Sequence, residues 1–396
     1  MSNKKLLFVH DHRFFKTKGG DYYSEGKLPR SAFKRFSRVS RSISVLCRSV
    51  EVESAEGLVI SSSDSVQFFP VSGDRWSTIF GKNLFANLRL IISLIDKADL
   101  VAIRLPCFFS FLIFPLVLIK RKNYAVEVVG DAFEAIYNAG GNKFIYKVFG
   151  GFFDLYTKSV VYGAVGAIYV TKNELQKKYK TKGVVAYASN VSIPEVSGEV
   201  IEERIKRIDS ISNRDKIKVG VIGSFNNNYK GIDVLISSIA RVREALDVDV
   251  DLHILGTGKK SILKPSIDKS SAHEWVFFDG RKSSDDVVLW LDGIDLYCQP
   301  SRTEGLPRSL IEAMSRGCPA IASSVGGIPE LLPESRLAQG GNVGDLAEKI
   351  SDLLGDPGRL AKDANRNFEV AKDYYREVLE EKRQRFWQDV SEKYNA

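Results

Sequence analysis

A chain of 396 residues is long enough for two or three domains, each able to bury a core of its own. Its 44% hydrophobic and 27% charged residues exclude disordered and fibrous classes and describe a globular protein. The formal net charge of +8 suggests an anionic partner, and it is confined to one end: residues 1–50 carry +9 and the rest sum to −1.

Taken in chain order, residues 5–10 form the first predicted strand, with His10 and His12 just past it and a Lys18–Gly19–Gly20 turn beyond. Lys34, Arg38 and Arg41 are spaced i, i+4, i+7 and share one face of an expected helix. Such a stripe is either a solvated face or a surface for anionic headgroups. Strands at 43–48, 100–104, 125–129 and 167–170 alternate with helices such as 84–97 and 143–162, the signature of a parallel sheet covered on both faces. The exception is residues 51–75, where 59–61 and 66–69 flank Ser62, Asp64 and Ser65 and read as a hairpin. The longest apolar stretch, 105–119, is too short to span a bilayer and reads as a buried helix in preference to a membrane-surface patch.

The run IPEVSGEVIEERIKRIDSISNRDK is polar and charged and places a domain junction at 195/196. A second alternation follows, with strands at 218–223, 251–255, 276–278, 296–299 and 320–322, and helices at 232–245, 284–291 and 306–316. From Gly344 on the pattern is helical, with charges at i, i+4. The fold class is therefore α/β, two Rossmann-like parallel-sheet domains, 1–195 and 196–373, facing across a cleft that is the default binding site.

Cys47, Cys107, Cys298 and Cys318 form no CxxC pair, and with four histidines no structural zinc site is suggested. Both facts fit a reducing cytoplasm. The N-terminal MSNKKLLFVHDHRFF has too short an apolar run for a signal peptide. His253 and His273 read as structural, and Trp76, Trp275, Trp290 and Trp387 as core or domain-contact residues. The basic segment carries neither aromatic-interleaved platforms nor a recognition-helix motif, so no nucleic-acid partner is expected.

Familiar nucleotide motifs fail. HILGTGKK, 253–260, lacks the third glycine of GxGxxG and the spacing of a P-loop, which removes the support for a dehydrogenase or P-loop kinase. Gly256 and Gly258 still follow a strand, where backbone can approach a ligand. The informative segment is CQPSRTEGLPRSLIEAMSRGCPAIASSVGGIPELL, 298–332. A buried strand ends at Gln299, a loop carries Ser301 to Gly305, and Leu306 and Pro307 open a helix whose N–H groups and dipole suit a phosphate. Glu304 stands just outside that site and Glu312 inside the helix. Gly326 and Gly327 make another strand-end turn.

This block, with Glu304 and Glu312 in an E-x7-E spacing, resembles the retaining family-four glycosyltransferases, which have the GT-B fold. VGVIGSFNNNYKGIDVLISSIARV, 219–242, extends the likeness, since Lys230 and Gly231 match the family's KG. The closest resemblance is to enzymes of bacterial surface-polysaccharide assembly. It implies a metal-independent hexosyltransferase that moves a sugar from a nucleotide-diphosphate sugar to an acceptor hydroxyl, with lipid-linked or polysaccharide acceptors first. The second domain would hold the donor, the first the acceptor, and a final helix, 374–396, would cross back to the first. Lys230 would contact the diphosphate, Glu304 the donor sugar and Glu312 the ribose, with Gly19, Gly20, Gly223, Ser224, Gly256, Gly305, Leu306, Pro307 and Arg308 lining the donor site.

Where the family commonly has Arg, this chain has Ser224, so Arg308 or Arg302 would substitute for the missing cation. Where the family often has a His at the sugar, this chain has Gly130 and Asp131, and Asp131 is the candidate there. His10, His12 and Arg38 fall on the acceptor side. Retention by same-face attack needs no enzymatic nucleophile. Asp249–Val250–Asp251 and Asp285–Asp286 read as strand and helix edges rather than a metal site, so neither a metal nor another cofactor is expected. The location expected is cytoplasmic, either free or peripheral at the inner face of the cytoplasmic membrane.

Plainer readings exist for each residue. Glu304 and Glu312 could be solvated helix-end carboxylates, Lys230 a helix lysine, Gly19 and Gly20 a simple turn, and His10 and His12 loop residues. Two other functions share the architecture: a non-hydrolysing nucleotide-sugar epimerase, and a non-catalytic nucleotide-sugar-binding protein.

Overall fold

The structure is a computed structural model that describes residues 4–26, 28–73, 75–139, 144–211, 216–246 and 249–395. Lys143, the expected start of one helix, and residues 212–215 of the expected junction lie outside the described residues. The chain folds as two units. The first comprises Met1–Val170, Leu175–Ala188 and Glu380–Ala396, the second Thr171–Glu174 and Ser189–Leu379. The division thus falls at 188/189 and 379/380 rather than 195/196 and 373/374. Within the second unit Ile193 bridges Tyr375, and the Arg376 N–H donates to the Ile193 carbonyl at 2.8 Å, so the two stretches leaving that unit are tied together.

The first unit runs β1 (Lys4–Thr17), β2 (Tyr22–Ser24), β3 (Ser40–Val52), β4 (Val59–Ile60), β5 (Val66–Pro70), α1 (Leu84–Lys97), β6 (Leu100–Leu105), α2 (Ser110–Ile119), β7 (Tyr124–Val128), α3 (Ala132–Ala139), α4 (Phe144–Tyr162), β8 (Gly166–Tyr169), α5 (Glu174–Lys178, whose first residue belongs to the second unit) and β9 (Val184–Tyr187). Its parallel strands lie in the order β5-β3-β1-β6-β7-β8-β9. β6 and β7 are buried along their whole length, as short apolar runs covered on both faces must be. The order reverses between β1 and β6, and such a switch point opens a crevice at the carboxyl ends of the strands.

Four expectations in this unit are corrected. The first strand continues to Thr17, so His10 and His12 lie within it, at a step where its register with β3 shifts between Val9 and Arg13. The segments near 59–61 and 66–69 do not pair as a hairpin. β4 lies antiparallel to β2 and β5 parallel to β3, because β2 and the long β3 offer edges that these short strands can join. The basic stripe does not form either. Arg30–Phe36 is a 3-10 turn, whose i and i+3 side chains eclipse, and Arg41 already belongs to β3. Finally, Leu105 ends β6 and the apolar helix begins only at Ser110. α2 buries Ser110, Ile113 and Val117 while leaving Leu118 and Ile119 exposed.

The second unit runs α6 (Glu199–Asp209), β10 (Lys216–Ile222), α7 (Ile232–Ala245), β11 (Asp249–Leu255), α8 (Lys260–Lys269), β12 (Val276–Gly280), α9 (Ser284–Asp292), β13 (Leu296–Gln299), α10 (Arg308–Ser315), β14 (Ala320–Ser323), β15 (Leu337–Ala338), α11 (Val343–Leu354), α12 (Pro357–Lys372) and the start of α13 (Arg376–Asn395). The expected polar junction contains a real helix, α6, anchored by buried Arg204, which donates to the Leu291 and Arg316 carbonyls at 2.8 and 3.1 Å. The parallel sheet has the order β12-β11-β10-β13-β14-β15, reversing between β10 and β13. Val219, Val221, Leu252, Ile254, Leu296 and Ile321 from the strands pack with Leu235, Ile239 and Val242 of α7 and Ile350 of α11 in a fully buried core. That core fixes the strand ends from which the site is built.

Candidate active site

The loops that follow β10 and β13 emerge side by side at the switch point of the second unit, since these strands are paired in parallel. After β10 the chain passes Gly223 and Ser224 and makes one 3-10 turn, Asn228–Lys230, capped by the Asn227 side chain. Gly231 then takes a φ of +67° and starts α7; a Cβ there would stand 1.8 Å from the Pro300 carbonyl oxygen, so only glycine fits. After β13 come Pro300, Ser301, Arg302 and Glu304. Arg302 stitches the two loops together. Its N–H donates to the Tyr229 carbonyl at 2.7 Å, and its guanidinium grips both Asp233 oxygens at 2.8 and 2.7 Å.

That stitching brings Lys230 to Glu304, whose Oε1 accepts from the Lys230 ammonium. The same oxygen accepts from Ser301 Oγ at 2.9 Å and Gln299 Nε2 at 3.2 Å. Gln299 is held in turn, its Oε1 accepting from Tyr297 at 2.9 Å and Ser309 at 3.0 Å. Among the described residues, Glu304 Oε2 takes no hydrogen bond. The Lys230 and Glu304 side chains are 15% and 11% exposed, enough to meet a ligand while staying shielded from bulk water. Gly223 and Gly256 approach closely, a Cβ on Gly256 falling 2.1 Å from the Gly223 carbonyl oxygen. Gly326 closes behind Glu304 in the same way, 1.9 Å from its carbonyl oxygen.

α10 begins at Arg308, two residues after the expected start, with Pro307 as its N-cap. Proline offers no side-chain acceptor, so no side chain caps the first turn. Glu312, inside this helix, has its carboxyl pushed above the usual range by burial, with Arg308 pulling the other way. The Tyr297 hydroxyl is raised by burial, and the charges of both Glu312 and Glu304 act on it. An anion meeting this surface would find one lysine, a helix N-terminus and two carboxylates suited to hydroxyl groups.

Residues 216–356 match the family model described as glycosyl transferases group 1. Over 358 residues the chain is 33% identical to Protein CapJ of Staphylococcus aureus, covering 88% of this chain and 85% of that protein. The chain is a group 1 glycosyltransferase. Its fold matches Anabaena HepE in complex with UDP-glucose, with a TM-score of 0.64, 16% identity and coverage of 98% and 99% of the two chains. It also matches WaaG, a glycosyltransferase involved in lipopolysaccharide biosynthesis, with a TM-score of 0.64, 16% identity and coverage of 96% and 98%. The α/β fold class is thereby GT-B.

Several expected site residues of this glycosyltransferase have other employment. Arg302 cannot replace the cation missing at Ser224, because its fork is closed on Asp233. Ser224 is half-buried and accepts from the Asn226 N–H. Arg308 is exposed at the helix start. In the first unit, Gly19 and Gly20 form an exposed hairpin turn between β1 and β2, with the Gly20 N–H on the Thr17 carbonyl at 2.9 Å. Arg38 pairs with both Glu381 oxygens at 3.2 and 2.6 Å. Asp131 caps α3 through the Glu134 N–H at 3.1 Å and pairs with Lys178 at 2.5 Å.

His10 and His12 lie at the switch point of the first unit. There Asp11, which no sequence signal marked, accepts from the Phe108 N–H at 2.8 Å through its carboxylate. Burial raises the Asp11 carboxyl, against that N–H and the charge of Arg48. His10, Asp11 and Cys107 bring metal-ligand types within 4.8 Å of one another. Burial pushes the Cys107 thiol far up. Gln299, Ser301, Ser309 and Asp233 were likewise missed. Their only signal is position: Gln299 ends β13, Ser301 follows it, and Asp233 and Ser309 stand in the first turns of α7 and α10.

Proposed function

We propose that this glycosyltransferase is a retaining hexosyltransferase that transfers a sugar from a nucleotide-diphosphate donor to a hydroxyl of a lipid-linked or polysaccharide acceptor in bacterial surface glycan assembly. The observation that carries this reading is the Lys230–Glu304 pair at the switch point of the second unit, beside the start of α10. HepE was solved with UDP-glucose and WaaG belongs to lipopolysaccharide biosynthesis, which supports a nucleotide-sugar donor and a surface-glycan acceptor.

In this reading the donor diphosphate meets Lys230 and the α10 N-terminus, with Arg308 as the further cation. The anomeric C–O bond to the diphosphate breaks, the acceptor oxygen bonds the same face, and the acceptor proton passes to the departing diphosphate. Negative charge grows on the leaving group, and Lys230 and the helix stabilise it electrostatically. Glu304, positioned by Ser301, Gln299 and Lys230, offers Oε2 to sugar hydroxyls, and Glu312 accepts from the ribose. Asp131 and the pair His10 and His12 are proposed on the acceptor side, where Asp131 acts through α3 and Lys178 as a positioning residue.

The step requires no metal in this proposal. Asp249–Val250–Asp251 opens β11 at the amino end of the sheet, where Asp249 pairs with Arg243 at 2.7 Å. A thermal-shift panel of UDP-, GDP-, ADP- and dTDP-sugars tests the donor site. One of them should stabilise the protein and do so less in Arg308→Ala; no stabilisation by any of them overturns the reading. Product analysis then separates transfer to an acceptor from epimerisation or binding alone.

A further inference from the structure

α4 exposes an unusual amount of apolar surface for a helix of the first unit. Phe144, Val148, Phe152, Leu155 and Tyr162 recur along one face, joined by Ile145 and Phe149, and Phe144 and Leu155 are 81% and 66% exposed. The opposite face, with Phe153, Thr157, Val160 and Val161, is buried against the unit. α2 continues the patch, since Phe111 stacks on Phe152 at 6.1 Å and on Tyr156 at 4.4 Å, and beyond it Leu118 and the 76% exposed Ile119 end the helix. Monomer surfaces rarely carry contiguous apolar area of this kind without a partner.

The charges around the patch identify that partner. An open pocket of about 340 Å³ lies at the C-terminal end of the α4 stripe, lined by Lys158, Ser159, Tyr162, Lys177, Lys178 and Lys180; Lys158 pairs with Asp154 and Lys178 with Asp131 and Asp154, while Lys180 is exposed. Lys182 lies over the Tyr162 ring at 4.6 Å. Lys147 is exposed near the other end of α4, and exposed Arg121 follows α2, while Lys120 pairs with Asp96 and Lys122 donates to the Ala98 carbonyl at 2.8 Å. Protein–protein interfaces are depleted in lysine, whereas a helix lying in a membrane surface pairs an apolar face with lysines that meet anionic headgroups. No helix among the described residues is long and apolar enough to cross a membrane. α4 can lie on a bilayer and does not span it.

We propose that the α2–α4 face docks this protein on an anionic lipid surface, with the apolar side chains entering the acyl boundary and the lysine pocket receiving a headgroup phosphate. This replaces the basic stripe of residues 34–41 as the membrane-facing element. The docking stands on this face alone and is independent of the donor reading. The face also adjoins the switch point of its own unit, because Phe149 stacks on Phe108 at 6.4 Å and the Phe108 N–H holds Asp11.

The test is flotation of the full chain, without donor, with vesicles of phosphatidylcholine alone and of phosphatidylcholine mixed with phosphatidylglycerol. The wild type should float with the anionic vesicles, and Phe152→Glu/Leu155→Glu should lose that binding by roughly 100-fold. Lys180→Glu and Lys182→Glu should weaken it about fivefold per lysine removed and make the remainder less salt-sensitive. These side chains are exposed, and circular dichroism verifies that each variant keeps its fold. Failure of the wild type to bind anionic vesicles overturns the proposal, as does equal binding by the folded Phe152→Glu/Leu155→Glu variant. So does a result in which that variant only turns a dimer into a monomer, because the face would then belong to a second copy of the chain.

Discussion

Glu127 and Glu304 are carboxylates held by cationic or polar side chains beside a parallel sheet, one in each unit. Glu127 lies within β7, and both of its oxygens are taken: Arg35 reaches each at 2.8 Å and Arg104 adds a contact at 2.6 Å. Burial works to raise its pKa, and the two arginines more than reverse that, leaving it below the usual range. Glu304 lies beyond the end of β13 and uses one oxygen for three donors. A carboxylate inside a strand is saturated by its own fold, whereas one past the strand's carboxyl end keeps an oxygen for a ligand. Position along the strand separates a charge the fold consumes from one that the proposed site can use.

Three substitutions press on this contrast, beginning with the largest effect. Glu127→Gln leaves two buried guanidinium groups uncompensated and should cost about 3–5 kcal/mol of stability in urea unfolding. A loss under about 1 kcal/mol would mean that the triad is not holding the unit together. Lys230→Ala should lower kcat/KM by about 100- to 1000-fold, equivalent to roughly 2.7–4 kcal/mol of transition-state stabilisation. Its stability should change by about 1 kcal/mol or less, because Ser301 and Gln299 still donate to Glu304. If it melts as readily as Glu127→Gln, the two carboxylates are alike and the contrast fails.

The smallest effect concerns Glu312. Its folded pKa lies above the ordinary 4.5, so the native state binds the proton more tightly than the unfolded chain does. Ionising it therefore costs stability as pH rises through the interval above 4.5, and no such cost exists below that value. Glu312→Gln should accordingly raise the melting temperature at neutral pH, with the gain vanishing in acid, while weakening nucleotide-sugar binding. A variant that destabilises the protein at neutral pH would show that the Glu312 charge is satisfied by its surroundings.

Much of the second unit was legible in the sequence. The helix expected at 232–245 is α7, the strand at 296–299 is β13, and the block around Glu304 and Glu312 identified the family. These features are local: periodicity, strand-end glycines and a helix start are written within a few residues. The first unit was read less well where its elements depend on distant partners. The 59–69 hairpin failed because β4 and β5 joined the edges of β2 and β3, and the basic stripe failed because 30–36 is a 3-10 turn and Arg41 pairs into β3, while Arg38 meets Glu381 on α13.

The sequence alone determined two successive α/β units and the residue types at the proposed donor site, because apolar periodicity and short-range spacing survive without knowledge of contacts. Tertiary structure decided which charges meet. Lys230 and Glu304 are 74 residues apart, and only the pairing of β10 with β13 places them together. It also decided that Arg302 is a clamp and that Arg35 belongs inside, since a guanidinium goes wherever a buried carboxylate can compensate it. The outer face of α4 belongs to the same class. Periodicity marks the helix as apolar, and only packing reveals which of its sides the rest of the unit leaves uncovered.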